Sequence, residues 1–230
     1  MTRLLPACVV VAAALSGCGA DDSRPASAGT ERPVAPAAPA VEPEGELGRS
    51  TTVPGSANIY GAGRQRPPAP SGGGPGTLPP RWMISGPPPT FVTFSDVSGR
   101  VSPIDPSESN GAAGDGVGPT DVSSYRGISG IVHRRNGMFL VGVFLPDVEL
   151  LDHAPRRLDF TRRDRARRLA PRLGQTFLVG DGKGRSFKVP PGASRLYLGF
   201  ADGYLYVGDP GWYGNNDGKL SVTVQVHSRP

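Results

Sequence analysis

The sequence predicts an all-β fold, a sandwich or barrel, over residues 90–230, and three observations carry that expectation. First, short runs such as TFVTFSD, GISGIVHR and SRLYLGFAD alternate apolar and polar residues and are rich in β-branched and aromatic side chains. Period-two alternation of this kind marks half-buried strands. Second, turn chemistry separates the runs: Arg135-Asn136-Gly137, Asp181-Gly182, Pro190-Pro191-Gly192 and Asn215 to Gly218. Third, no segment repeats its apolar residues with the helical period. Many short strands joined by Gly- and Pro-rich turns indicate packed sheets rather than a helix-bearing fold.

The N-terminus, MTRLLPACVVVAAALSGCGADD, reads as a targeting segment. Arg3 supplies the positive start. Leu4 to Leu15 is an apolar stretch of about a dozen residues, too short for a transmembrane helix. Leu15-Ser16-Gly17-Cys18 resembles a bacterial lipobox, which implies a lipoprotein signal peptide at 1–17, lipidation of Cys18 and export to the bacterial cell envelope with a lipid anchor in the membrane. Cys8 lies in the leader, so the mature chain keeps Cys18 alone and no intrachain disulfide is expected. The fold must then rest on its core, helped by any metal it binds.

Residues 18–89 are a low-complexity stretch of Pro, Ala, Gly and Ser, including RPVAPAAPAVEPEGE and RPPAPSGGGPGTLPP. Such composition offers little apolar surface to offset ordering entropy, so a disordered linker is expected. As coil, roughly 70 residues would span about 45–50 Å, enough to hold a domain off a membrane. Ile59-Tyr60 and Arg81-Trp82-Met83-Ile84 are small apolar islands within it.

The remaining stretch from Thr90, about 140 residues, has the size of one domain. Its strand candidates are TFVTFSD, GISGIVHR, MFLVGVFLP, RLDF, QTFLVGD, RSFKVP, SRLYLGFAD, LYVG and KLSVTVQVH. Met138–Leu145 is apolar at nearly every position and should be a central strand covered on both faces. The stretch SPIDPSESNGAAGDGVGPTDVSS, with Asp105, Asp115 and Asp121, reads as a surface loop able to lend an oxygen to a site.

The segment 194–226 draws the chemistry together. Between its two framing strands lie Asp202, Asp209, Asn215, Asn216 and Asp217. Hard oxygen ligands converging on one loop suit Ca²⁺, which takes six to eight oxygens, backbone carbonyls included. Asn-Asn-Asp-Gly before a strand is equally a turn signal. If the framing strands are neighbours, about 4.8 Å apart, Asp202 at the end of one meets the asparagines at the start of the next.

The run PGWYGNNDGKLSVTV resembles the C-terminal signature of the calcium-dependent galactophilic bacterial lectins, the LecA type. The resemblance implies a jelly-roll-like, galactose-binding-like sandwich and a Ca²⁺ ligand set of Asp202, the Trp212 carbonyl, Asn215 and Asn216. Asp209, Asp217, Tyr125 and Asp115 are additional metal or ligand contacts to consider. Trp212, Tyr204, Tyr206 and Tyr213 are the candidates to stack on a sugar ring. Relative to the lectin pattern, GYLYVG at 203–208 is an insertion, and the family's His and Gln sugar contacts have no counterpart here. The implied partner is a carbohydrate, a galactoside or an envelope polysaccharide. The alternative is a structural or interaction lipoprotein with a Ca²⁺-stabilised sandwich and no sugar site.

The chain carries a formal charge of +5, and the excess is concentrated in RRLDFTRRDRARRLAPR, Arg156 to Arg172. Phe160 is the sole aromatic in that run, and the chain is expected to be exported, so no nucleic-acid partner is expected. There is no G-x-S-x-G elbow, no H-E-x-x-H and no phosphate-binding loop. His133, His153 and His227 stand apart in sequence, and no carboxylate pair is singled out for glycoside hydrolysis. The expectation is a binding module, not an enzyme.

Overall fold

The computed structural model describes residues 44–45, 48, 50–85, 90–104, 109–114, 118–148 and 153–228. Cys18, Asp105 and Asp115 lie outside them, and so does the leader. In chain order the strands are β1 (Glu44–Gly45), β2 (Ser50–Pro54), β3 (Arg81–Met83), β4 (Phe91–Ser102), β5 (Thr120–Val122), β6 (Ile131–His133) and β7 (Val141–Leu145). Then follow β8 (Leu158–Asp159), β9 (Arg168–Leu169), β10 (Phe177–Leu178), β11 (Ser186–Lys188), β12 (Arg195–Gly199), β13 (Val207–Gly208) and β14 (Asp217–His227). Among the described residues the helical elements are 3₁₀ turns of three residues each. The fold is all-β, as expected.

Three sheets share the strands. One runs β1-β3-β12-β7-β10, the second β2-β14-β4-β11-β9, and the third, four-stranded, β13-β5-β6-β8. The first two pack as a sandwich. Every residue of β7 is buried, and the strand sits between β12 and β10, the central place its apolar run predicts. Gly142 on β7 is required there: a Cβ would fall 2.6 Å from the Phe177 ring, so the bare backbone lets that ring lie on the strand. Phe177 then stacks on Phe144 at 5.1 Å within its own sheet and meets Phe187 of β11, in the other sheet, at 4.6 Å. Phe94 of β4 closes edge-on against Phe187 at 5.4 Å. These rings tie the two layers. Burying each is worth about 1.5–3 kcal/mol, with up to about 1.5 kcal/mol more from ring geometry.

β4 and β14 form the long antiparallel spine of the second sheet, from Asp217 opposite Ser102 to His227 opposite Phe91. A register shift between Ser221 and Thr223 marks a bulge. Leu220, Val222 and Val224 of β14 are buried in the core.

Two expectations need correction. The sandwich does not start at Thr90: β2 pairs with β14 (Val53 opposite Leu220) and β3 with β12 (Trp82 opposite Leu196). Ile59, Tyr60 and Trp82 are fully buried, so both apolar islands contribute to the core, although Met83 is exposed. The Pro/Gly segment between them is held by Asn58. Its Oδ1 accepts from Tyr60 N at 3.0 Å, and its Nδ2 donates to the carbonyls of Pro68 at 2.7 Å and Pro75 at 3.0 Å. Strands of three and five residues are too short to show against that composition. The second correction concerns β12 and β14. They belong to different sheets, so they are not the neighbouring strands expected, and the segment between them crosses from one layer to the other.

Candidate metal and sugar loop

The loop begins where β12 ends. Phe200 N donates to Ala57 O at 2.8 Å and Ile59 N donates to Phe200 O at 3.2 Å, anchoring the strand end to the N-terminal segment. Tyr213, returning from the far side, is fully buried. Its hydroxyl accepts from Asp202 N at 3.0 Å and donates to Phe200 O at 2.9 Å. One phenol thus pins both ends of the loop and fixes Asp202 beside Asn216, across the gap between the two sheets.

Asp202 is 2% exposed. Its Oδ1 accepts from Gly203 N at 2.8 Å and its Oδ2 from Asn216 Nδ2 at 2.9 Å. Burial pushes its pKa up to about 7, against the hydrogen bonds from Asn216 and Gly203, which pull it down. Two neutral donors compensate a buried carboxylate only in part. Asn216 Nδ2 also donates to Gly55 O at 3.2 Å, while Asn216 Oδ1 is buried without a partner.

A second orphan is linked to Asn216 through Met138. Asn110, absent from the sequence-based ligand set, is buried and bridges Val101 of β4 through both backbone groups. Its Nδ2 donates to Met138 O at 3.2 Å, and Met138 Sδ stands 3.9 Å from Asn216 Nδ2. Asn110 Oδ1 is buried and unpartnered. The hydroxyl of Tyr60 is a third such atom. Its pKa is raised, first by burial, against the pull of Arg157, and also by the Asp202 charge. The buried Asp202 carboxylate, although both its oxygens accept hydrogen bonds, and the unpartnered amide oxygens of Asn216 and Asn110 are oxygen types that a hard cation such as Ca²⁺ takes. Among the described residues no group of three His, Cys, Asp or Glu comes together. A cation here would therefore draw on one carboxylate, amides and carbonyls.

The other predicted positions scatter. Asn215 is exposed at the end of the Tyr213–Asn215 turn. Asp209 and Asp217 are exposed, and Asp217 Oδ1 accepts from Gly218 N at 2.6 Å. Tyr125 sits in another cleft with Arg64, Arg126 and Asp147. Its carbonyl accepts from Ile128 N, and its ring faces the Arg64 and Arg126 guanidiniums at 5.9 and 5.4 Å. Tyr213 is corrected from sugar-stacking candidate to core residue by its burial and its two hydrogen bonds. Tyr206 is half-buried and packs on the core. Tyr204 is 55% exposed, and its ring lies 4.9 Å from that of Trp212 at 47°, which leaves these two as an aromatic pair at the surface.

The wall of this site comes from the segment read as linker. Trp212 N, Gly214 N and Tyr213 N donate to the carbonyls of Gly72, Gly73 and Gly74 at 2.9, 3.0 and 3.1 Å, and Trp212 Nε1 donates to Ser71 O at 3.2 Å. Trp212 itself has φ +67°. Gly73 and Gly76 have positive φ, and a Cβ on either would fall 2.3–2.5 Å from Trp212, Tyr213 or Ser56 atoms. Only glycine lets two backbones approach this closely. The signal in the sequence was Ser-Gly-Gly-Gly-Pro-Gly, indistinguishable by composition from a flexible linker.

No protein-family model and no curated protein sequence matches this chain.

Proposed function

We propose that this chain is an envelope-anchored lipoprotein, lipidated at Cys18, whose sandwich binds a galactoside-type carbohydrate through Ca²⁺ held at Asp202 and Asn216. The observation that carries the reading is the buried Asp202 carboxylate faced by Asn216, with the amide oxygens of Asn216 and Asn110 left without donors. Asn215 and the Trp212 carbonyl complete the ligand set implied by the lectin resemblance, with Asp209 and Asp217 at the rim. When bound, the ion would offer its free coordination positions to sugar hydroxyls. The protein's own part is to hold the oxygens and exclude water. Tyr204 and Trp212 present flat apolar faces to the C–H side of a ring, with Trp212 fixed by its bonds to Ser71 and Gly72.

A second reading is a structural or interaction lipoprotein in which the ion only stabilises the sandwich. The depth of Asp202, 2% exposed, favours it, since an ion enclosed by protein has fewer positions to exchange with a sugar. Calorimetric titration separates the two. Heat on adding Ca²⁺ followed by heat on adding methyl galactoside supports the lectin reading. Ca²⁺ binding with no galactoside signal leaves the structural one. A wild-type protein indifferent to both removes the metal from either account.

A further inference from the structure

At the other edge of the four-stranded sheet, next to β8, Arg134, Arg156, Arg157, Arg162 and Arg163 surround a cleft of about 640 Å³. We infer that this cleft binds a carboxylate-bearing acidic polysaccharide, its arginines pairing with successive carboxylates along the polymer.

Arginines elsewhere in the fold are mostly spent on structure. Arg135 pairs with Asp164 at 2.8 Å, Arg185 donates to the carbonyls of Leu178 and Asp164, and Arg195 donates to Pro146 O. Within the cleft only Arg157 is tied down in this way, to Asp121 at 2.5 Å and Val122 O at 3.0 Å. Arg134, Arg156, Arg162 and Arg163 are exposed; the charge of Arg134 acts on Asp159, and the other three guanidiniums have no hydrogen-bond or ion-pair partner among the described residues. Asp159 is the acid in the lining. Its Oδ1 is engaged by Thr161 N at 2.8 Å, and hydrogen bonds from Thr161 hold its pKa below the usual value. One carboxylate, already set against Arg134, leaves Arg156, Arg162 and Arg163 uncompensated, so the cleft stays positive.

The backbone that carries these side chains is well held. Gln175 Nε2 donates to Arg156 O at 2.7 Å, and Gln175 Oε1 accepts from Arg172 N at 3.0 Å. Arg134 N donates to Thr161 Oγ1 at 3.0 Å, and Phe160, buried, donates its N–H to Val132 O at 2.8 Å. The charges therefore project from a fixed rim, not from a loose tail. The lining contains no aromatic ring, so there is no face on which nucleic-acid bases could stack. Planar guanidinium forks match carboxylates, as they do phosphates, two oxygens at a time. The Tyr204–Trp212 pair precedes and follows β13, the opposite edge of the same sheet. Three strand spacings separate β13 from β8, about 14 Å, a distance that an extended polymer can cross.

The inference requires no calcium, so it is tested in chelator, where the galactoside reading is silent. Polygalacturonate is titrated into the protein at low salt, with neutral galactan, double-stranded DNA and polyphosphate as comparators. Polygalacturonate should bind and neutral galactan should not, with affinity falling as salt rises. Arg156→Ala and Arg162→Ala should each lower affinity about tenfold, and the pair about a hundredfold. Melting temperature should not move. Arg156→Lys/Arg162→Lys should keep the salt dependence and recover only part of the affinity. Lys219→Ala, which removes one charge from β14, should change little. The inference is overturned if wild type ignores polygalacturonate at low salt, or if Lys219→Ala costs as much as the cleft variants. DNA or polyphosphate binding more tightly than polygalacturonate would overturn it too, since the cleft would then read phosphate.

Discussion

The two edges of the four-stranded sheet lead to opposite electrostatic problems. Beyond β13 lies Asp202, a single acid buried among neutral donors with its pKa raised to about 7. Beyond β8 lies a cluster of exposed arginines. At the first site water is excluded, so one charge governs local stability. At the second, solvent screens five charges and the fold hardly registers them. The lesson is that charge count is a poor guide to energetic weight; burial sets it.

The sharpest way to break this contrast is to neutralise the buried acid. The proton on Asp202 stabilises the fold fully below the ordinary Asp value of 3.8, and this stabilisation is lost as pH rises through about 7. A shift of that size corresponds to about 4 kcal/mol at most. Asp202→Asn, compared with wild type by urea unfolding in chelator, should therefore match wild type near pH 4 and be more stable near pH 8. With Ca²⁺ present, only wild type should gain stability. If the two proteins follow the same pH curve in chelator, Asp202 ionises without cost and the comparison fails.

Next in size is the wall of the same site. Gly76→Val puts a branched side chain at φ +70°, with its Cβ 2.3 Å from Ser56 O. A loss of about 3 kcal/mol is expected, measurable as a lower denaturation midpoint. Gly72→Val, where a Cβ meets nothing within 4 Å, should suffer only the backbone strain of positive φ, about 1–2 kcal/mol. Equal losses would mean that the close packing of Gly76 carries no energy.

Calcium itself should add about 2.7 kcal/mol at a hundred times its dissociation constant. Asn216→Ala and Asn110→Ala should each reduce that gain, and thermal melts with Ca²⁺ and with chelator would measure it. An unchanged calcium response in Asn110→Ala would remove its amide oxygen from the ligand set. The smallest effect belongs to the other edge. Arg156→Ala and Arg162→Ala should alter stability by no more than about 0.5 kcal/mol in either direction.

His133 gives a milder pH effect of opposite sign. It is buried, its ring lies 5.5 Å from that of Phe139 at a tilt of 47°, and its Nδ1 accepts from the N–H groups of Arg135 and Asn136. Burial, with Arg135 adding to it, outweighs the nearby Asp164 and lowers its pKa below 6.5. The stability from keeping it neutral is present above pH 6.5 and lost as pH falls below that value. His133→Phe should flatten that limb of the curve.

Sequence alone determined many of the strands from Phe91 onward and their punctuation, because alternation and turn chemistry are local properties of a chain; β2, β3, β9 and β5, the last inside a stretch read as surface loop, escaped it. KLSVTVQVH could be read from its own residues and is strand here, and of MFLVGVFLP the part Val141–Leu145 is strand, while Met138 turns with φ +51°. It also brought Asp202 and Asn216 into one hypothesis, although through the wrong geometry: they meet across two sheets and not between neighbouring strands. Tertiary structure alone decided that Tyr60, Trp82 and the glycines around Gly73 belong to the domain, since a five-residue strand or a Gly-Pro loop is ordered only by the surface it docks on. It alone decided that Asn110, over ninety residues before Asp202, is buried with its amide oxygen unpartnered and is linked to Asn216 through Met138. Burial is a property of what packs around a residue, and no window of sequence contains its own neighbours in space.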